Sequence, residues 1–163
     1  MQFSKWTVVM LGALCAAPLL AVQGKAPVAS SQETKSEAQS ADRLLRQVKA
    51  EAQTIEMHAA DLERLAKNSN TQWVEYDQQW NEIKPAQEAL DRNIRRLDAM
   101  SSSLSTQQQK TLNDTKQAVQ QISARTRQLF KMIEQPGANL SSSTFQADAR
   151  SLAQDARSVA TIA

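Results

Sequence analysis

Apolar residues recur at alternating steps of four and three along most of this 163-residue chain, and this spacing constrains its fold more than any other feature. Such steps place side chains on one face of an α-helix. The first stretch with this pattern comprises Ala41, Leu45, Val48, Ala52, Ile55, Ala59, Leu62 and Ala66. Similar stretches follow at residues 73–97, 112–133 and 145–163. The stretch at 112–133 comprises Leu112, Thr115, Val119, Ile122, Thr126, Leu129 and Ile133. The sequence therefore predicts an all-α protein with four amphipathic helices.

The second stretch opens with the aromatic residues Trp73, Tyr76 and Trp80 on one stripe. Three bulky rings at this spacing are expected to lie in the core and to determine how the other helices pack. Pro85 follows within the same helix, and because it lacks an amide hydrogen we expect it to kink the helix or to break it into two pieces. Gln87 is polar at a core position, so we expect its side chain to bond carbonyl groups that the proline leaves without a partner.

Turn and cap residues separate the four stretches. Asn70 or Thr71 is expected to cap the second helix, and the dipeptide Pro136-Gly137 is expected to end the third. Two Ser-x-x-Gln capping boxes are predicted to open the last two helices, namely Ser105 with Gln108 and Ser143 with Gln146. Short turns make neighbouring helices antiparallel. We therefore predict an antiparallel, up-down-up-down four-helix bundle over residues 36–163, with a shorter fourth helix.

Residues 1–24 are predicted to form a cleavable export signal. Lys5 supplies a positive start, and residues 7–21 are apolar apart from one threonine. This apolar run is shorter than the ~20 residues that a membrane-spanning helix needs. Small residues place the cut after Ala21 or after Gly24. The protein is therefore expected to be secreted or periplasmic, without stable membrane insertion once the signal is removed.

Residues 25–35 show no apolar period and are predicted to be a flexible tether. The only cysteine, Cys15, lies within the predicted signal, and Leu14 before it disfavours lipoprotein processing. The exported chain would contain no cysteine, so its stability must come from packing. Lysine plus arginine number 19 and aspartate plus glutamate 17, without a basic cluster, so we expect no nucleic-acid partner.

Residue counts from each turn place His58 level with Trp80, and Tyr76 level with Phe130. One end of the bundle is therefore predicted to be aromatic. These rings either form core or line a pocket for a small apolar ligand or haem. The residues of that candidate pocket are His58, Trp73, Tyr76, Trp80, Phe130 and Phe145.

His58 is the only histidine, and it is the candidate ligand for a haem or metal. Met57, Met100 or Met132 would supply the second axial ligand of a haem. Against this, the chain has no Cys-x-x-Cys-His motif, no second histidine for zinc, and isoleucine at position 55 where a Glu-x-x-His di-iron pattern needs glutamate. We therefore expect a histidine packed at the edge of the core, with no cofactor and no metal.

No constellation of catalytic residues is visible in the sequence. Serines are abundant but fall in cap and turn positions, and no glycine-rich phosphate loop is present. An enzyme is therefore not expected.

Two resemblances concern the start of the third helix. The segment Leu-Ser-Thr-Gln-Gln at 104–108 resembles the Leu-Thr-x-x-Gln motif of small periplasmic helical chaperones, which implies a holdase function. Trp73, the polar helix through Lys84 and the helix start at 104–109 together resemble a group of short secreted bacterial helical proteins without an assigned function. This second likeness spans residues 55–135 and implies a fold and a compartment, but no activity.

Three functions remain open from the sequence. The leading hypothesis is an exported, non-enzymatic bundle, monomeric or homodimeric, that acts through its surface on a protein partner or in envelope stress. The alternatives are a binder of a small apolar ligand or haem at the aromatic end, and a periplasmic holdase chaperone. A void beside Trp73, Tyr76 and Trp80 would favour ligand binding, and an exposed apolar concave face would favour chaperoning.

Overall fold

The structure, a computed structural model, describes residues 29–163, with side chains from Ser36 onward. Its helices are α1 (Ala29–Ala66), α2 (Trp73–Ala99), α3 (Thr106–Glu134) and α4 (Ser143–Ile162), and a short 3-10 helix (Ser101–Ser103) lies between α2 and α3. The predicted export signal lies outside the described residues. None of the helices within residues 29–163 is both long and apolar enough to cross a membrane.

Each helix packs against its neighbours in the chain, and α4 closes the ring by packing on α1. Glu56 pairs with Arg157 and Glu63 with Arg150, so α1 and α4 run antiparallel. The predicted four-helix bundle is confirmed, and α4 is its shortest helix at 20 residues. Of the four neighbouring pairs, α2 packs least closely against α3, and a groove remains between them.

α1 begins at Ala29, inside the range predicted as a tether and ahead of the predicted helix start at Ser36. The Gln, Glu and Lys residues between positions 32 and 37 have good helix propensity. A helix that is packed further along the chain can extend over such residues without an apolar stripe, because propagation is easier than nucleation.

The predicted apolar stripes form the core, and every predicted position in α1 and α3 is buried. In α2, Tyr76 and Trp80 are buried as expected. The prediction is wrong for Trp73, whose side chain is 56% exposed. Trp73 is the first residue of α2 and lies at the end of the bundle, where the neighbouring helices no longer cover it.

α2 continues through Pro85 as one helix. Asn81, whose carbonyl would accept from the residue at position 85, is exposed, so water can replace the missing partner. The prediction for Gln87 is wrong, because its side chain does not form hydrogen bonds with the carbonyl groups near the proline. Its amide nitrogen instead lies 3.3 Å from Asp91 Oδ2 and 3.2 Å from Ser123 Oγ, across the groove between α2 and α3.

The predicted capping box of α3 is confirmed. Ser105 Oγ accepts from the backbone amide of Gln108 at 3.2 Å, and Gln108 Oε1 accepts from the backbone amide of Ser105 at 2.9 Å. The prediction for α2 is wrong, because Gln72 is its N-cap residue rather than Asn70 or Thr71. The turn therefore extends one residue further than its composition suggested.

The capping box predicted for α4 is also displaced by one residue. Ser142, rather than Ser143, accepts a hydrogen bond from the backbone amide of Phe145 at 3.2 Å. Gln146 donates instead to the carbonyl of Ala66 at 3.1 Å. This carbonyl belongs to the last turn of α1, where backbone groups have no partner within the helix. The start of α4 therefore supplies a hydrogen-bond donor to a free carbonyl at the end of α1.

Candidate ligand cleft at the aromatic end

A cleft of about 590 Å³ lies where the α1–α2 turn meets the α3–α4 turn. Its lining consists of Thr71, Trp73, Tyr76, Ile133 and residues 134–141. Small-molecule sites in proteins occupy roughly 300–1,000 Å³. Among the residues that line this cleft, Glu134 is the one acidic residue and none is basic. The cleft therefore has the size and the near-neutral lining of a site for a small uncharged molecule.

The wall of the cleft is the turn between α3 and α4. α3 ends at Glu134, two residues before Pro136. Proline cannot continue the helical hydrogen bonds, because it lacks an amide hydrogen. Gly137 has φ of 75°, a left-handed conformation that glycine adopts without strain. Leu140 is buried and fixes the far side of the turn to the core. The sequence predicted the helix stop but not that the turn would line a cleft.

Trp73 borders the cleft in a fixed orientation although it is largely exposed. Its indole nitrogen donates to the carbonyl oxygen of Ile133 at 3.0 Å. This carbonyl lies in the last turn of α3, so it has no acceptor role within the helix. The hydrogen bond holds the indole against α3 and leaves much of the ring available for contact.

Tyr76 also lines the cleft but is 2% exposed. Its ring packs edge-on against Phe145, with 5.6 Å between ring centroids and 85° between ring planes. The hydroxyl oxygen is buried and has no hydrogen-bond partner among the described residues. A buried polar group without a partner costs about 1–3 kcal/mol. Such groups are rare in folded proteins, so this one calls for an explanation.

The remaining predicted pocket residues lie elsewhere. Trp80 stacks on Phe130 with 5.1 Å between centroids, and the pair borders the groove between α2 and α3. Phe145 is fully buried. His58 Nδ1 lies 2.8 Å from Gln79 Oε1, on the side where α1 meets α2. The structure thus divides the six residues predicted for one pocket, and two of them line this cleft.

The arrangement around His58 does not favour haem. Met100 lies 21 residues beyond Gln79, which is roughly 30 Å along α2 at 1.5 Å per residue. Met57 is 55% exposed, and Met132 lies on α3, which does not pack closely against the α1 helix that carries His58. Within residues 36–163, no three His, Cys, Asp or Glu side chains come together in a way that could hold a metal ion.

The fold and the cleft define a four-helix bundle with a candidate ligand site at one end. Comparisons of the chain with protein-family models, with curated proteins and with solved structures found no match. The resemblances noted in the sequence therefore stay predictions.

Proposed function

We propose that this chain is an exported, non-enzymatic protein that binds a small, mostly apolar and uncharged ligand in the cleft between Trp73 and Tyr76. The cleft of about 590 Å³ beside the half-exposed ring of Trp73 is the observation that carries the proposal, and the buried Tyr76 hydroxyl without a partner supports it. This is the ligand-binding alternative from the sequence, and the cleft beside the two residues favours it over action through the surface alone. Export rests on the composition of residues 1–24.

The two side chains would contribute different parts of the binding energy. The exposed face of Trp73 offers a large apolar contact, and its hydrogen bond to Ile133 removes most of the entropy cost of ordering the ring. The Tyr76 hydroxyl is buried at the wall of the cleft, so a ligand with a hydrogen-bonding group would give it a partner once a small movement of the wall exposes it. Binding would therefore combine apolar contact with one polar contact, as in most small-molecule sites.

The charge of the cleft limits the ligand class. Because Glu134 is the charged member of the lining, an anionic ligand would meet repulsion. Haem carries propionate groups, and no histidine lines the cleft to bind its iron. An uncharged ligand therefore fits better than haem.

The holdase alternative has less support. Among the described side chains, the large apolar residues with high exposure are Met57, Trp73, Val74 and Ile162. Trp73 and Val74 are adjacent at the start of α2, whereas the other two lie on α1 and α4. Chaperoning would need a continuous apolar surface.

N-phenyl-1-naphthylamine is a suitable probe, because it is uncharged, consists of aromatic rings and has one N–H group. Its own fluorescence reports binding. We expect the full chain to bind it, Tyr76→Phe to weaken binding by up to about tenfold, and Trp73→Ala to weaken it further. Val74→Ala is the matched control, since Val74 is exposed beside Trp73 but does not line the cleft. Equal affinities for the wild-type, Y76F and W73A proteins, with unchanged circular dichroism, would overturn the proposal.

A further inference from the structure

The groove between α2 and α3 contains two adjoining clefts of about 250 and 430 Å³. Arg127 lines both, so they are neighbouring parts of one groove. None of the residues that line the Trp73 cleft belongs to it. The groove is therefore a separate region of the surface, about midway along the bundle.

Neutral polar groups hold the one carboxylate at the centre of the groove. Gln87 Nε2 and Ser123 Oγ both donate to Asp91, at 3.3 and 3.4 Å. Within residues 36–163, no basic side chain comes within ion-pair distance of Asp91. The basic side chains of the groove therefore form no ion pair with Asp91.

Basic side chains outnumber acidic ones along the groove. The basic residues are Lys84, Arg95, Lys116 and Arg127, and the acidic residues are Glu88 and Asp91. Lys116 forms an ion pair of 2.8 Å with Asp98, whereas the other three cations form none with the described acidic side chains. With Lys116 neutralised by Asp98, three basic residues face two acidic ones, so the groove keeps a net positive charge that attracts anions.

An aromatic pair lies directly beside two of these cations. Trp80 and Phe130 stack with 20° between their ring planes, and they share the 250 Å³ cleft with Lys84 and Arg127. Trp80 is 6% exposed, and Phe130 is only partly buried. Phe130 therefore presents the aromatic surface on which another ring could pack.

We propose that the α2–α3 groove binds a small organic anion, whose ring packs against Phe130 and whose acidic group is bound by Arg127 and Lys84. The planar guanidinium of Arg127 can donate two parallel hydrogen bonds to a carboxylate or sulfonate. Lys84 adds a second charge next to the aromatic pair. The charge selects an anion, and the compact cleft selects a small one.

The probe for this site is 8-anilinonaphthalene-1-sulfonate, which shares its ring system with N-phenyl-1-naphthylamine but carries a sulfonate. We expect Arg127→Ala and Lys84→Ala each to weaken its binding by about tenfold, since each removes a charge-assisted contact. Arg96→Ala is the matched control, because Arg96 is an exposed cation of α2 that does not line the groove. Phe130→Ala should weaken binding without any change of charge.

The uncharged analogue separates this site from the Trp73 cleft. Arg127→Ala should leave binding of N-phenyl-1-naphthylamine unchanged, and Trp73→Ala should leave binding of the sulfonate unchanged. A partly unfolded variant exposes apolar surface and would bind more of the sulfonate probe. Weaker binding of the probe by a variant therefore cannot result from partial unfolding. Wild-type affinity of R127A and K84A for the sulfonate would overturn the proposal. Displacement of the sulfonate by poly-glutamate but not by benzoate would also overturn it, since the occupant would then be an acidic polypeptide.

Discussion

The indole nitrogen of Trp73 donates a 3.0 Å hydrogen bond to the carbonyl oxygen of Ile133, and this bond joins the first residue of α2 to the last turn of α3. It explains why an exposed tryptophan has a defined orientation at the end of the bundle. The same contact places the indole beside Tyr76 in one cleft. The hydrogen bond to α3 and the proposed binding role therefore involve one side chain, and substitutions can separate them.

Trp73→Phe removes the donor and keeps an aromatic ring. We expect it to lower the free energy of unfolding by about 1 kcal/mol, because the Ile133 carbonyl loses its partner. Urea denaturation followed by circular dichroism measures the change. Val74→Ala, which removes exposed apolar surface without a hydrogen bond, should change stability by less than about 0.5 kcal/mol. A W73F protein as stable as the wild type would show that the bond does not stabilise the bundle.

Tyr76→Phe should act in the opposite direction. Without ligand, removal of a buried hydroxyl that has no partner should leave the free energy of unfolding unchanged or raise it by up to about 1–3 kcal/mol. Phe145→Ala in the same aromatic cluster is expected to cost about 3–5 kcal/mol, because Phe145 is fully buried. A loss of stability in Y76F that approaches the loss in F145A would mean that the hydroxyl has a partner in the folded protein.

Much of the fold could be predicted because the apolar period is regular. Thr115 and Thr126 occupy core positions of α3 as the pattern required, and each bonds its hydroxyl to the carbonyl four residues earlier. A period cannot show where a bundle ends, however. Trp73 continues the stripe of α2 in sequence, but no helix covers it at that level.

The predicted level of Tyr76 on α3 is one turn out of register, whereas the predicted level of His58 with Trp80 agrees with the 2.8 Å contact between His58 and Gln79. The sequence places Tyr76 opposite Phe130, whereas Trp80 occupies that position in the structure. Levels depend on how many residues each turn uses, and cap residues set that number. The cap of α2 lies one residue after the predicted one, which is too small a shift to account for a full turn, so the rest arises from the way α2 crosses α3.

The regular spacing of apolar residues predicted neither the Trp73 cleft nor the α2–α3 groove. The Trp73 cleft is lined largely by the irregular residues 134–141. The α2–α3 groove joins Lys84 to Arg127 from two helices, and neither residue lies on an apolar stripe. Such sites arise from loose packing between elements, which single-helix patterns do not encode.

Glu63 should make stability depend on pH. Hydrogen bonds from Arg150 and then Lys67 hold the pKa of its carboxyl below the usual value of 4.5. A lowered pKa in the folded state contributes stability that is present above the unfolded pKa and is lost as the pH falls through the folded pKa. Glu63→Gln should therefore lower the melting temperature near neutral pH and have little effect in acid.

Arg150→Gln is the partner variant for this test. It should lower the melting temperature by less than Glu63→Gln, because Lys67 still pairs with Glu63 at 2.8 Å. The double variant should be no less stable than Glu63→Gln alone, since the two residues act as a pair. A difference in melting temperature between E63Q and the wild type that is the same at all pH values would contradict this prediction.

Export can be tested on the protein that its own host produces. Intact-mass spectrometry of the periplasm or the culture medium should find a chain that begins at Val22 or Lys25, since cleavage is predicted after Ala21 or Gly24. Recovery of a chain that still begins at Met1, and only from the cytoplasm, would show that residues 1–24 are not a cleaved signal.

Native mass spectrometry of the host's own protein tests the Trp73–Tyr76 cleft most directly, because it detects a bound molecule by its mass, whatever its chemical identity. We predict that the wild-type chain carries one small uncharged molecule and that Tyr76→Phe, which keeps the shape of the cleft, carries less of it. A wild-type chain that carries no molecule and also fails to bind N-phenyl-1-naphthylamine would contradict the proposed function.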